Sequence, residues 1–357
     1  MNSNINEIKL KKFWNNKKVL ITGHTGFKGS WLSLILNHYG AKIIGYSLKC
    51  DDEESLFNLI KIKSILKKNI YSDIRNFKKL GYTINKYKPD VIFHLAAQSI
   101  VSESYFKPLY NYDVNIVGSV NLLEILRFYK KKITTIIVTT DKVYKYKKNL
   151  IYSEENIIGG DGDPYSTSKA CIELIVSSYI KSFFKKNNNI KIATARSGNV
   201  IGGGDFSKDR LVPDIFKRKR KLIIRNPNFI RPWQHVIEPL FGYMFLAEKI
   251  HNDKIKFRIY SSGWNFGPKK SNFKSVINIV KFFLKKNEYK ILKKKRIHES
   301  DILKLNSKKS EKYLKWNSFW NLDQSLKKTK DWYTAYKNNN DLIRLSIKQI
   351  KEFVKRR

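Results

Sequence analysis

Up to about residue 200, short apolar runs alternate with longer stretches whose apolar residues recur at helical spacing. Runs at 18–22, 42–46, 70–74, 91–95, 134–138 and 191–195 have strand length and are rich in Val and Ile. Between them, 30–39, 76–87, 109–130 and 164–185 read as helices. In 109–130, Val114, Val117, Val120, Leu123 and Leu126 fall on one face. Pro164 opens the last of these helices and Asp163 is placed to cap it. Strands alternating with helices at this spacing predict an α/β fold, a doubly wound parallel sheet of Rossmann type. Past residue 200 the repeat breaks up and short elements follow, which predicts a smaller C-terminal substrate-binding lobe. Segments 307–314 and 322–336 read as helices with aromatic anchors Tyr313, Trp316, Trp332 and Tyr333. Residues 1–16 are polar and predict at most partial order. From Lys337 the chain is a basic tail in which Ile343, Leu345, Ile347, Ile350 and Phe353 could form a terminal helix.

The first strand runs into Gly23-x-x-Gly26-x-x-Gly29 and then a helix. A strand that turns into a helix through glycines aims unpaired N–H groups at one spot, which favours a phosphate. Asp51 and Asp52 lie at the distance of a residue that holds an adenosine ribose, or equally in a solvated loop or helix cap. Ligands in such sheets bind at the carboxyl ends of the strands. The glycines, Asp73, Ala96, the 140–142 segment and Asn199 all fall there.

Composition adds one large fact: 71 Lys and Arg against 30 Asp and Glu give a formal charge of +41 over 357 residues. The lysines are spread throughout, with KRKRK at 217–221 the sharpest cluster, and no nucleic-acid recognition motif accompanies them. No nucleic-acid or membrane partner is expected. Two cysteines and six scattered histidines give no disulfide framework and no metal-ligand spacing. With no signal-peptide core and no run of membrane-spanning length, the expectation is a cytoplasmic protein.

Tyr165 and Lys169 stand at i and i+4, on one helical face. A phenol titrates near ~10, and a neighbouring ammonium favours the phenolate a base requires. The spacing alone decides little, because it recurs at Tyr82, Tyr144, Tyr289 and Tyr333. Only Tyr165 follows a proline-marked helix start, shortly after a strand that ends at Thr140. Thr140-Asp141-Lys142 adds a hydroxyl for a sugar hydroxyl, plus an adjacent acid and amine for proton transfers. Arg225 and Arg231, on a Pro-bounded loop, and Arg210 suit capture of a diphosphate, or are simply solvated.

Together these residues resemble the extended short-chain dehydrogenase/reductase family of nucleotide-sugar-modifying enzymes, and within it the CDP-glucose 4,6-dehydratases. The resemblance is carried by TGHTGFKGSWLS (22–33), FHLAAQ (93–98), TTDKVY (139–144), GGDGDPYSTSK (159–169), RSGNVIGGGDFSKDRLVPDI (196–215), IIRNPNFIRPWQHVIEPLFGY (223–243) and WNFGP (264–268). It covers roughly 17–335 and implies an NAD-binding domain over 17–200 with contributions from 230–262. A nucleotide-sugar lobe over 201–336 and the tail 337–357 complete the division. The resemblance implies NAD as cofactor, CDP-glucose as substrate, a homodimer through the 109–130 and 164–185 helices, and a role in deoxysugar biosynthesis for surface polysaccharide.

By the same resemblance Tyr165, with Lys169 and Thr140, removes the C4 hydroxyl proton; one member of the Asp141/Lys142 pair, Lys142 by preference, takes the C5 proton and Asp141 protonates the departing C6 hydroxyl. Gly23, Gly26, Phe27, Lys28, Gly29, Asp73, Ile74, Leu95, Ala96 and Ala97 match cofactor positions, alongside Tyr165 and Lys169. Gln98, Asn199, Arg210, Arg225, Arg231 and His235 match substrate positions. Val143 and Ser102 depart from the family pattern, where Cys and Arg are expected, and Ser102 falls near the sugar or phosphate. Lys142 separates this branch from dehydratases that carry an acid there. Another nucleotide sugar, 4-epimerisation, or dinucleotide binding without catalysis are the competing readings.

Overall fold

The computed structural model describes residues 2–185, 189–252, 261–292 and 300–355. Six strands come first: β1 (Lys18–Thr22), β2 (Lys42–Ser47), β3 (Lys68–Tyr71), β4 (Val91–His94), β5 (Ile133–Val138) and β6 (Ile190–Arg196). Shorter ones follow: β7 (Val200–Ile201), β8 (Leu222–Ile224), β9 (Ile230–Pro232), β10 (Gln234–His235), β11 (Gly263–Asn265), β12 (Phe273–Ser275) and β13 (Tyr289–Ile291). A seven-stranded sheet runs β3-β2-β1-β4-β5-β6-β11, with every pairing parallel. This is the doubly wound order, and the direction in which strands are added to the sheet reverses between β1 and β4.

Alternation along each strand sends successive side chains to opposite faces, and both faces are dry. Val19, Ile21, Val91, Phe93, Ile136 and Val138 join one core, which also holds Trp14, Trp31, Trp264 and Trp332. Leu20, Ile92, Ile133, Ile137 and Ile192 join the other, against Leu122, Leu126, Ile172 and Val176. The remaining strands pair in three two-stranded sheets, β10 with β7, β12 with β9 and β13 with β8, which build the second lobe. The predicted fold class holds.

The terminal helix that the apolar residues of the tail allowed is present, Leu342–Lys355, and its Ile350, Phe353 and Val354 enter the first core. Three details differ from the sequence reading. Residues 2–14 form a helix, Asn2–Trp14, anchored by buried Leu10 and Trp14, so the N-terminal segment is more ordered than its polarity implied. Helix 109–130 is interrupted by a π-helical turn at Asp113–Val117 and ends at Arg127. The wider turn rotates the face, leaving Val117 45% exposed while Leu123 and Leu126 stay buried. Finally, β3 stops at Tyr71, so Ser72 and Asp73 belong to the loop beyond it.

Candidate active site

Where β1 ends, Gly23 takes φ +75°, and a Cβ there would lie 2.7 Å from the backbone nitrogen of Ala96. A Cβ on Gly29 would lie 2.1 Å from the Gly23 carbonyl oxygen. The turn therefore admits only glycine at both positions. Gly26 precedes helix Phe27–His38 and offers no side-chain cap, so the first-turn N–H groups remain available to an anion. They open into a cavity of about 370 Å³ at the switch point between β1 and β4. All ten residues matched to the cofactor by resemblance alone line it, from Gly23 to Asp73 to Ala97, and so do Tyr165 and Lys169. Asp73 accepts from the Arg75 backbone N–H at 2.8 Å and from its guanidinium at 2.7 and 3.0 Å. Those hydrogen bonds hold its carboxyl below the usual range. Asp51 and Asp52 take the bland alternative: Asp51 pairs with Lys49, and Asp52 accepts from the Glu54 N–H. Neither lines the cavity.

A second cavity, also about 370 Å³, lies between the sheet's carboxyl edge and the lobe. Thr140, Asp141, Lys142, Asn199, Arg210, Arg225 and Arg231 line it, together with Ser102 and Asp214. Five residues line both cavities: Lys28, Ser99, Thr139, Tyr165 and Arg210. A hydride passes only between atoms in contact, so this junction is where hydride chemistry on a sugar would occur.

The titrating groups there are strongly perturbed. Burial pushes the Tyr165 phenol up to about 12, against the pull of its Thr140 hydrogen bond and of the Arg210 charge. Burial brings the Lys169 ammonium down to about 8, with Glu173 opposing. Asp141 Oδ1 accepts from the Thr140 hydroxyl at 3.0 Å, while its Oδ2 is buried without a hydrogen-bond partner. Burial raises its carboxyl above the ordinary range, against the charges of Lys142, Arg231 and Lys28. A carboxyl biased in this way toward its protonated form is suited to donating a proton. On the lobe side, Arg210 pairs with Asp205 at 3.0 Å and Arg225 with Asp209 at 2.8 Å. Ser102 donates to the other Asp209 oxygen at 2.7 Å.

The family model described as GDP-mannose 4,6 dehydratase matches residues 20–329. The CDP-glucose 4,6-dehydratase of Salmonella typhimurium is 39% identical over 355 residues, covering 96% of this chain and 98% of that one. The chain belongs to the GDP-mannose 4,6-dehydratase family. A UDP-glucose 4-epimerase of Mycoplasma genitalium is 26% identical over 342 residues, 90% of this chain and 98% of its own. Among solved structures, the dTDP-glucose 4,6-dehydratase of Bacillus anthracis in complex with NAD superposes with a TM-score of 0.75 at 22% identity, covering 92% of this chain and 99% of that one. An epimerase from Methanothermobacter thermautotrophicus gives 0.78 at 20%, covering 96% and 98%.

Within this dehydratase-family frame two substrate assignments change. His235 lines neither cavity. The pairing of β10 with β7 turns it inward, where its ring packs edge-on against Trp31 at 5.9 Å and Trp320 at 5.0 Å. Burial there lowers its pKa to about 3. Gln98 lines the first cavity and not the second, held by Asn115 through its backbone N–H. Sequence reasoning also missed Glu173, which accepts from Thr139, Thr194 and both Nε and Nη2 of Arg196 beneath Lys169. Its place one helical turn after Lys169 was the available signal.

Proposed function

We propose that the protein is an NAD-dependent CDP-glucose 4,6-dehydratase, converting CDP-D-glucose to CDP-4-keto-6-deoxy-D-glucose and water. The observation that carries this reading is the convergence of Thr140, Asp141, Lys142 and Tyr165 on one cavity that meets the glycine-turn cavity at Tyr165. The full-length relative of that name supports the choice of nucleotide and sugar.

The glycine turn fits NAD: its Cβ-free cradle and uncapped helix start suit a diphosphate, and Ser72-Asp73-Ile74 flank the far end of the same cavity. When bound, NAD supplies a reversible two-electron acceptor that is restored within one turnover. Every proton transfer then falls to the protein. Tyr165 takes the C4 hydroxyl proton as its phenolate, the form that burial disfavours and that the Thr140 hydrogen bond and the Arg210 charge favour, with Lys169 one turn along the same helix. The C4 ketone acidifies the C5 hydrogen, and Lys142 receives that proton. Asp141, biased to the neutral form, protonates the C6 hydroxyl as it leaves as water. Arg210, Arg225, Arg231 and Asn199 hold the nucleotide diphosphate. For two of the arginines that means releasing the Asp205 and Asp209 carboxylates.

The product is an activated deoxysugar precursor, consistent with surface-polysaccharide synthesis in the cytoplasm. Among the described residues no helix is long and apolar enough to cross a membrane. We further propose a homodimer, a reading supported by the exposed Phe106, Leu109, Val117, Phe128, Leu174 and Phe183 on and beside the helices around 108–127 and 164–184.

The test is incubation of the purified protein with CDP-glucose, dTDP-glucose, UDP-glucose and GDP-mannose separately, without added oxidant, read by mass spectrometry. Loss of water from CDP-glucose alone supports the reading. Loss from another sugar reassigns the substrate, and inversion at C4 without water loss makes the protein an epimerase.

A further inference from the structure

Lys28 lies inside the glycine turn, where its backbone belongs to the anion-facing helix start. Its side chain leaves that turn and crosses to β6's carboxyl end, donating to Ser197 Oγ at 2.7 Å. Tyr243 donates to the same oxygen at 2.9 Å, fixing the acceptor from behind. The amine thus stands at the junction of the two cavities, among the five residues that line both. Among the described residues no carboxylate is within ion-pair distance of it. Its charged surroundings are Arg210 and Lys169, which repel it, and Asp141 and Asp205, which attract it without contact. Burial, together with Arg210, brings the amine down to about 7. Its hydrogen-bond partner is a neutral hydroxyl, so the amine's charge is left uncompensated beside the space the two cavities share.

We propose that Lys28 biases the site's redox balance, its ammonium disfavouring the oxidised, positively charged end of NAD relative to the reduced, neutral end. The inference rests on the NAD reading above. Both forms of the dinucleotide carry the same diphosphate and adenosine, so contacts with those parts cancel in the comparison. Only the redox end differs in charge, and it must lie at the cavity junction to meet the sugar. A like charge held near another in a partly buried site would change an equilibrium by about tenfold. A bias toward the reduced form favours oxidation of the sugar at C4. Lys28 is then a positioning charge for the first step, separate from the proton transfers of Tyr165, Lys142 and Asp141.

The experiment measures dissociation constants for NAD⁺ and NADH by calorimetry, below the amine's pKa of about 7, on wild type, Lys28→Met, Lys28→Gln and Lys28→Arg. The two neutral variants should each lower the preference for NADH over NAD⁺ by about tenfold, chiefly by tightening NAD⁺. Lys28→Arg should keep the wild-type preference. Equal weakening of both dinucleotides in the neutral variants would make Lys28 a phosphate contact or a structural residue and overturn the inference. An unchanged ratio with unchanged affinities would overturn it as well. Wild-type protein that binds neither form overturns the cofactor reading itself, a different failure. Lys28→Gln guards against a folding defect confined to the Met variant.

Discussion

Replacing Glu173 with Gln should cost the fold more than any other single polar change near the site. The Glu173 carboxylate receives four donors: Thr139 and Thr194 at 2.5 Å each, Arg196 Nε at 2.9 Å and Arg196 Nη2 at 2.7 Å. Both partners of the ion pair are almost dry, with side chains 4% and 5% exposed. Arg196 also donates to the Tyr144 hydroxyl, which donates in turn to Asn265. A Gln amide can satisfy two of the four donors and turns its own N–H groups on the other two. The guanidinium would then be left buried with half its partner, and breaking a buried pair from one side costs about 3–5 kcal/mol. Denaturant unfolding should report a loss in that range. The pH dependence gives a second reading. Burial alone would raise the Glu173 carboxyl, but the Arg196 charge and four hydrogen bonds hold it below its ordinary value of 4.5. A depressed folded-state pKa contributes stability that is present above the unfolded value and fades as pH falls through the folded one. Wild type should therefore lose this contribution in acid below pH 4.5, and the Gln variant should lack that component. A stability loss under about 1 kcal/mol, with an unaltered acid limb, would refute the claim that this network ties the Tyr165 helix to β5 and β6.

Tyr165→Phe should lower turnover by about 10²–10⁴-fold while leaving NAD affinity within a small factor, measured by steady-state kinetics beside calorimetry. Lys142→Met should bind NAD and nucleotide sugar normally but release no water, read as missing dehydrated product in the mass spectrum. Gly23→Ala should abolish dinucleotide binding, since φ +75° and a 2.7 Å contact with Ala96 leave the Cβ no room; retained binding would contradict the turn's role. Leu109→Glu combined with Leu174→Glu should give a monomer by light scattering, because both side chains are more than half exposed on the apolar face proposed for the dimer.

The sheet was legible because a parallel strand covered on both faces is rich in apolar and β-branched residues, as in ITTIIV at 133–138, which is buried along its whole length. The glycine turn was legible because its geometry excludes every other residue at two positions. The start of the chain was harder. Among the described side chains of the first helix Leu10 and Trp14 are buried in the core and Phe13 packs against it, while Ile8 stays 65% exposed, so the local pattern carries little periodicity. The π-helical turn at Asp113–Val117 shifts a face without any proline or glycine inside it to mark the change. His235 was matched to the substrate by the family motif it shares with Arg231, and of that stretch Arg231 and Trp233 line the second cavity while His235 does not. The short β10 pairing alone decides that the next alternate position points down into the aromatic core. Glu173 and Lys28 depend on contacts across 23 and 169 positions of sequence, which only the assembled sheet brings together.

The most direct measurement of the central claim uses CDP-glucose carrying deuterium at C4, incubated without added nicotinamide. If the site oxidises C4, expels water and restores its own cofactor, the dehydrated product keeps the deuterium, now at C6. Dehydrated product without the label, or product that forms only with continuous supply of external NAD⁺, would contradict the account.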